Sequence, residues 1–321
     1  MLNSQIKTKH YYWLILPAFC LGLQIAGFIY SAVPSQKKST LDAGRQAAPT
    51  VLGEFTSVRG EPADTGLQNP EKIKDLDLNA ISAESFLAYD INSSFVLAQK
   101  NPAQKISIAS LTKLLTAFVV YQKTNLGESI KITGNDMLNI APALGLKLND
   151  EIRVSDLFNA MLIGSTNDAA LALANFAASS TGQSFADLMN EQAGNLQMAN
   201  SKFSNPMGFD SQNNFSTAED LQKLVDASQK LAAFSNLGKK SSYNFTSNLG
   251  FNYYTKATNK LTAQYPDLEA VKTGFTESSK GAMITKLSVG DHKIIIIILD
   301  SQNREKDTLI LRQQILGSYK F

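Results

Sequence analysis

Cysteine and histidine are scarce in this chain of 321 residues, which contains only Cys20, His10 and His292. A single cysteine excludes a disulfide within the chain and a cysteine metal cluster. Two histidines so far apart exclude a His-Glu-x-x-His zinc motif. His10 precedes a long apolar run and His292 follows a Gly290-Asp291 turn, so a Ser-His-Asp triad is disfavoured. A hydrolase built from this sequence would take its base from lysine or a carboxylate.

An excess of charge is also missing, because 30 basic residues face 28 acidic ones and the formal net charge is +2. No basic stripe with interleaved aromatic residues is present, so we expect no nucleic-acid partner. The apolar fraction of 44% suits a globular domain with a large core.

Residues 11–33 contain no charged side chain and carry aromatic residues near both ends. That length spans a bilayer, and we expect a single-pass transmembrane anchor after a short cytoplasmic tail at residues 1–10. A cleaved signal peptide is the alternative, but the run is longer than a usual h-region and no small-x-small site closes it. Lysines on both sides leave the orientation open.

Residues 34–80 contain scattered proline, glycine and serine without apolar periodicity, which predicts a flexible linker. From residue 81 the pattern becomes that of a folded domain extending to residue 321. Strand patterns occur early and late in it, with helical patterns between them, which predicts an α+β domain whose terminal segments share one sheet. The predicted strands are 85–91, 95–99, 130–132, 268–276, 282–289 and 292–300, with a strand-like stretch at 146–154. The predicted helices start near 111, 154, 168, 184 and 309, with another from a Ser216–Glu219 capping box to about 234.

Ser110 and Lys113 lie at the start of a segment with apolar residues at helical spacing. Residues three apart share a helix face, so the Lys113 amine can reach the Ser110 hydroxyl. Burial in so apolar a helix should lower the lysine pKa and let Lys113 act as a base. The alternative is a capped helix with a snorkelling lysine, because Ser-x-x-Lys also occurs at residues 4–7 and 35–38.

Ser165 and Asn167 stand two apart in a short connection between two predicted helices. A hydroxyl can relay a proton there, and an amide can orient a substrate carbonyl. The alternative is that Asn167 or Asp168 only caps the following helix.

Lys272, Thr273 and Gly274 form the single Lys-Thr-Gly of the sequence, within a predicted strand. The lysine supplies positive charge for a carboxylate, and the glycine lets another backbone approach closely. An edge strand with a protective lysine is the alternative.

These three motifs, in this order, resemble those of the penicillin-binding protein and serine β-lactamase superfamily. The surroundings are most similar to the low-molecular-weight D-alanyl-D-alanine carboxypeptidases over roughly residues 80–320. The matching stretches are 109–117, 165–170, 203–210, 216–221 and 271–276. The resemblance implies a β-lactamase/penicillin-binding-protein-like transpeptidase fold, with an antiparallel sheet built from both ends of the domain and flanked by helices.

The resemblance also implies catalytic roles. Ser110 would attack the carbonyl between two terminal D-alanines and form an acyl-enzyme that water hydrolyses. Lys113 would accept the serine proton, Ser165 would help to pass it to the leaving amine, and Asn167 would hold the substrate amide. No metal ion or organic cofactor is implied.

On the substrate side, Lys272 and Thr273 of the Lys-Thr-Gly274 motif would bind the terminal carboxylate, and Arg304 resembles a family arginine that also meets it. The oxyanion hole would use the backbone N–H groups of Ser110 and Phe275. The family often has a shortly placed Ala-Gly after this motif, whereas this chain has Ser278–Gly281. Many members also carry a second all-β domain, for which we expect no counterpart before Phe321.

The implied substrate is the peptidoglycan stem peptide, with β-lactams as covalent inhibitors. The implied location is the outer side of the cytoplasmic membrane, with the N-terminal helix as anchor. Three alternatives remain: a D,D-endopeptidase, a serine β-lactamase with Glu191 and Asn195 activating the deacylating water, and a non-catalytic membrane-tethered scaffold that binds peptidoglycan.

Overall fold

The computed structural model describes residues 67–235 and 237–321. The predicted tail, the predicted transmembrane anchor and most of the predicted linker therefore lie outside the described residues. None of the helices in the described part of the chain is both long and apolar enough to cross a bilayer.

The described residues form eleven strands and six α-helices. The strands are β1 Glu71–Lys72, β2 Ser85–Asp90, β3 Val96–Lys100, β4 Ser129–Lys131, β5 Glu151–Arg153, β6 Ser242–Thr246, β7 Asn252–Lys256, β8 Leu268–Thr276, β9 Lys280–Val289, β10 His292–Ser301 and β11 Tyr319–Lys320. The helices are α1 Thr112–Lys123, α2 Val154–Gly164, α3 Asn167–Thr181, α4 Phe185–Asn195, α5 Ala218–Ser228 and α6 Arg304–Ser318.

The central sheet has the strand order β3-β2-β10-β9-β8, and every neighbouring pair is antiparallel. β2 and β3 come from the start of the domain, and the other three strands come from its end. The prediction of one α+β domain whose terminal segments share a sheet is therefore confirmed.

Strand β10 carries a run of five isoleucines, and both faces of the strand are buried. Ile295 and Ile297 point into a core shared with the helices between α1 and α5, whereas Ile294, Ile296 and Ile298 point into a second core under α6. Successive strand residues face opposite sides of a sheet, so an uninterrupted apolar run requires cover on both faces. The helices supply that cover.

On the larger of the two cores, α1 is buried from Thr112 to Val120. The alanine-rich α3 packs against both α1 and α2, because its small side chains allow close approach. This packing brings the first turns of α1 and α3 together at one end of the sheet.

The capping box predicted at Ser216–Glu219 is wrong by one residue. Thr217 is the N-cap of α5, and its hydroxyl accepts a hydrogen bond from the Asp220 N–H. Ser216 instead pairs with Ile106 in an isolated antiparallel bridge, which commits its backbone to extended geometry. The helix also ends at Ser228 rather than near residue 234, where a separate short turn follows.

The folded domain begins upstream of the predicted boundary at residue 81. β1 pairs with β11 at the very end of the chain, and Leu76 and Leu78 pack against the core under α6. Sequence composition missed this segment because two paired residues and two isolated leucines produce no periodic pattern.

Candidate active site

Ser110 lies in a single 3-10 turn, Ala109–Leu111, that leads directly into α1. Two glycines let other backbones approach this turn. A Cβ on Gly208 would lie 2.0 Å from the Ala109 carbonyl oxygen, and a Cβ on Gly274 would lie 3.0 Å from the Ser110 nitrogen. Ala109 itself has a φ of 47°, a left-handed conformation that costs energy for a residue with a side chain. The turn is thus held in one position by its neighbours.

Lys113 is fully buried one turn below Ser110. Its Nζ lies 3.0 Å from Ser110 Oγ, 2.8 Å from Asn167 Oδ1 and 2.6 Å from the Met207 carbonyl oxygen. Burial lowers the pKa of Lys113 from its ordinary value to about 7. None of the described residues places a carboxylate against it, so an appreciable fraction of the lysine is an uncharged amine at neutral pH.

The three partners of Lys113 decide which proton is lost when it becomes neutral. The oxygens of Asn167 and Met207 are carbonyl acceptors and must receive a hydrogen, whereas the Ser110 hydroxyl can donate or accept. A neutral amine has two hydrogens and one lone pair. The lone pair therefore faces Ser110, which is the arrangement that a general base for the serine hydroxyl needs.

Asn167 is the first residue of α3 and is held on both sides. Its Oδ1 accepts from Lys113, and its Nδ2 donates to the carbonyl oxygens of Ile140 at 3.0 Å and Ala141 at 3.2 Å. The next residue, Asp168, is buried and accepts hydrogen bonds from the backbone N–H groups of the loop just beyond, at Leu144 and Gly145. Asn167 therefore does not cap α3, whose N-cap is Thr166; its side chain connects Lys113 to the 140–145 loop.

Ser165 ends α2 in the left-handed region, with a φ of 59°. Its hydroxyl accepts a hydrogen bond of 2.8 Å from Lys272 Nζ. A side chain that is 3% exposed in a strained turn is placed there by the packing around it. Ser165 and Asn167 therefore contact different lysines. Ser165 contacts Lys272 on β8, and Asn167 contacts Lys113 on α1.

Lys272, on β8, is almost completely buried and also donates to the Thr273 carbonyl oxygen at 2.9 Å. Burial lowers the pKa of Lys272 well below its ordinary value, and the positive charges of Lys113 and Arg304 lower it further. Among the described residues, two hydrogen-bond acceptors contact Lys272 Nζ, which is enough for the two hydrogens of a neutral amine. A carboxylate placed beside Lys272 would supply a third acceptor and the negative charge that favours the ammonium form.

The other predicted substrate-binding residues lie on β8 or, in the case of Arg304, next to it. Thr273 is buried, and its hydroxyl lies 2.6 Å from that of Thr258. Arg304, the first residue of α6, donates from Nη1 to the Gly274 carbonyl oxygen and from Nε to Glu305 at 3.0 Å. Phe275 follows Gly274 and its side chain is 67% exposed. The structure therefore brings together all the predicted site residues around the Ser110 turn.

Sequence reasoning assigned no role to the segment Asn205–Asp210. Asn205 Oδ1 accepts from the N–H groups of Gly208 and Phe209, which shapes a tight turn and presents the Met207 carbonyl to Lys113. The Asn-Pro-Met-Gly composition indicates a turn, but nothing local places that turn against α1, ninety-four residues earlier.

Glu191 and Asn195, the pair considered for a β-lactamase, lie on α4 away from Ser110. Glu191 is half-exposed and contacts Lys123 at 3.4 Å, at the far end of α1 from the nucleophile. Asn195 contacts Gln192 on the same helix. Helix geometry separates Lys113 from Lys123 by about 15 Å, so this pair does not face the serine.

Within residues 67–235 and 237–321, no group of three or more histidine, cysteine, aspartate or glutamate side chains converges on a point where a metal ion could bind. The chemistry of the site described above is that of hydroxyl, amine and amide groups.

The comparison with protein families gives one match that covers most of the chain. The family model described as D-alanyl-D-alanine carboxypeptidase matches residues 71–303. The chain is 28% identical to D-alanyl-D-alanine carboxypeptidase DacC of Escherichia coli over 70% of its length, and 26% identical to DacF of Bacillus subtilis over 68%. It spans only 58% and 57% of those two relatives.

A relative named for a different activity matches over more of its own length. The D-alanyl-D-alanine endopeptidase of Escherichia coli is 29% identical, and the alignment covers 69% of this chain and 72% of that enzyme.

Solved structures show the same fold. The Streptomyces K15 DD-transpeptidase superimposes with a TM-score of 0.68 at 26% identity, covering 74% of this chain and 98% of that one. Penicillin-binding protein D2 of Listeria monocytogenes, solved in an ampicillin-bound form, superimposes with a TM-score of 0.64 at 27% identity over the same shares.

Proposed function

The chain belongs to the D-alanyl-D-alanine carboxypeptidase family, and we propose that it removes the terminal D-alanine from peptidoglycan stem peptides through an acyl-enzyme on Ser110. The observation that carries this proposal is the contact of one buried lysine, with a lowered pKa, on the hydroxyl of Ser110. A chain that only binds peptidoglycan has no use for a nucleophile and base held in this geometry.

The first half of the reaction is acylation. Ser110 Oγ attacks the carbonyl carbon of the bond between the two D-alanines, and Lys113 takes the hydroxyl proton. The negative charge that develops on the carbonyl oxygen is stabilised by the backbone N–H groups of Ser110 and Phe275. The C–N bond then breaks, and the proton that Lys113 took passes to the leaving amine with the help of Ser165.

The terminal carboxylate is bound by Lys272, Thr273 and Arg304. A carboxylate beside Lys272 raises the lysine pKa again, because it supplies a counter-charge. In the second half of the reaction, water attacks the acyl carbon, the ester bond to Ser110 breaks, and the serine recovers its proton.

The proposal includes the location of the enzyme and its inhibitors. Residues 11–33 anchor the chain in the cytoplasmic membrane, and residues 34–66 carry the domain to the wall outside it, because that is where the proposed substrate lies. β-Lactams acylate Ser110, a proposal supported by the ampicillin-bound relative of the same fold.

A D,D-endopeptidase is the second candidate function, and one observation favours it. The chain covers 72% of the length of the endopeptidase relative, against 58% of the carboxypeptidase DacC. Both reactions use the same attack on a D-alanyl carbonyl, so they differ only in what the leaving amine carries.

The test is acylation followed by product analysis. The purified full-length chain and Ser110→Ala are incubated with fluorescent penicillin, and we expect a covalent band on a denaturing gel for the wild type alone. Chromatography then distinguishes free D-alanine, released from a pentapeptide, from monomers released from a cross-linked dimer. A folded wild-type protein that gives no band and no product would disprove the proposal.

A further inference from the structure

Asp210 is an exposed carboxylate at the rim of the site that accepts three side-chain hydrogen bonds. The donors are the hydroxyls of Ser107 at 3.2 Å, Thr276 at 2.8 Å and Ser278 at 2.6 Å. No basic residue pairs with Asp210 among the described ion pairs. Three hydroxyls on one carboxylate are more than a solvent-exposed side chain needs.

The donors lie on two segments that are distant in sequence, and Asp210 lies on a third. Ser107 is three residues before Ser110 on the segment that leads into the nucleophile turn. Thr276 is the last residue of β8 and directly follows Phe275. Asp210 ends the Asn205–Asp210 loop, which also presents the Met207 carbonyl to Lys113. One carboxylate therefore joins three backbone segments that meet at the nucleophile turn.

The same three segments are in close contact at the nucleophile itself. Gly208 lies so close to Ala109 that a side chain would clash, and Gly274 lies against the Ser110 nitrogen, where a Cβ would fit only if its neighbours shifted. Asp210 and Thr276 each stand two residues beyond one of these glycines. The hydrogen bond between Asp210 and Thr276 therefore links the loop to β8 just beyond the point where both contact the nucleophile turn.

We infer that Asp210 is a positioning residue that holds the loop and the end of β8 against the nucleophile turn, and so fixes the relative position of the backbone N–H groups of Ser110 and Phe275. The inference rests on the proposed function, in which those two groups bind the developing oxyanion. Such donors are effective only when they are held at hydrogen-bond distance from the position that the oxyanion takes.

Charge is part of this role, because an ionised carboxylate can accept from all three hydroxyls at once. Partial burial raises the pKa of Asp210, but the hydrogen bonds from Ser278, Thr276 and Ser107 outweigh that effect, and the net pKa lies below the ordinary value. Asp210 is therefore charged throughout the neutral range.

Asp210→Ala and Asp210→Asn test the inference, with Glu277→Ala as the matched control. Glu277 is exposed, directly follows Thr276 and carries the same charge, so its removal changes the charge of the rim without touching the hydrogen bonds. We expect Asp210→Ala to slow acylation by penicillin by at least about tenfold, because a small displacement of an oxyanion donor has a large effect on rate. Asp210→Asn, which keeps one carbonyl acceptor, should lose less, and Glu277→Ala should match the wild type.

Two further measurements separate positioning from a general structural role. The loss should fall on kcat, with KM for a D-Ala-D-Ala peptide changed less than about threefold, since the carboxylate contacts of Lys272 remain. The affinity for a boronic acid, whose tetrahedral adduct on Ser110 occupies the oxyanion position, should fall by a factor similar to the loss in kcat. The melting temperature should stay within about 2 °C, because the substituted side chain is exposed.

Unchanged acylation in Asp210→Ala would overturn the inference while leaving the proposed function intact. The inference would also be overturned if Asp210→Ala and Asp210→Asn both showed a lower kcat, a KM raised by a similar factor and a clearly lower melting temperature. That combination indicates a structural role. A wild-type chain that is neither acylated nor active would remove the proposed function, and this inference with it.

Discussion

The active site contains two buried lysines, Lys113 on the helix side, in α1, and Lys272 on the strand side, in β8. The difference between their partners distinguishes the proposed base from the proposed binding group. Lys113, on the helix side, has three oxygen partners, two of which can only accept. Lys272, on the strand side, has two partners and lies close enough to Lys113 and Arg304 for their charges to lower its pKa. Among the described residues, neither lysine has a carboxylate partner, and a carboxylate bound beside Lys272 would favour its ammonium form.

This difference shows how one site can use the same side chain for two purposes. Desolvation alone makes a lysine a base near neutral pH, provided that its lone pair is directed at the nucleophile. A second desolvated lysine, placed beside positive charge, becomes a strong site for an anion, because the anion relieves the electrostatic penalty.

The largest effect is expected when Lys113, on the helix side, is removed. Lys113→Ala should reduce acylation of Ser110 by at least about a thousandfold, because it removes the base and leaves the serine hydroxyl un-ionised. Lys123→Ala, at the exposed end of the same helix, is the control and should acylate normally. Stopped-flow or gel-based rates with fluorescent penicillin measure both. A loss of less than about tenfold in Lys113→Ala would show that another group is the base.

A smaller and more selective effect is expected on the strand side. Lys272→Gln should reduce kcat/KM for a peptide ending in free D-Ala-D-Ala by roughly 10- to 100-fold, the value of a hydrogen bond to a charged group. The same peptide with an amidated C-terminus should be hydrolysed slowly by the wild type and almost equally slowly by the variant. Equal proportional losses on both substrates would contradict the assignment of Lys272 to the carboxylate.

The last prediction concerns the pH dependence of acylation, which tests the pKa of Lys113. The base form of Lys113 is the neutral amine, so the acylation rate should rise about tenfold per unit as the pH increases toward the lysine pKa and should level off above it. With the pKa of Lys113 at about 7, the bend should appear near pH 7, and Lys123→Ala should keep it there. Penicillin acylation measured from pH 5.5 to 9 tests this, and a flat profile would contradict it.

Much of the site could be predicted because it is local in sequence. Ser110 and Lys113 are three residues apart on one helix, so helical periodicity alone joins them, and the apolar residues around them predict the desolvated amine. The strand patterns near both ends of the domain likewise predicted the shared sheet. By contrast, Lys272 and Ser165 are 107 residues apart, and no local pattern could pair them.

The sequence by itself determined which groups are available: one serine beside one lysine on an apolar helix, a Ser-x-Asn, one Lys-Thr-Gly, and almost no histidine or cysteine. Tertiary structure alone decided which acceptors surround each lysine, and that the Asn205–Asp210 loop lies against the nucleophile turn. The physical reason is that periodicity and turn chemistry depend on neighbours along the chain. The environment of a buried amine depends on groups that only packing brings into contact, and here those groups come from residues up to 107 positions away.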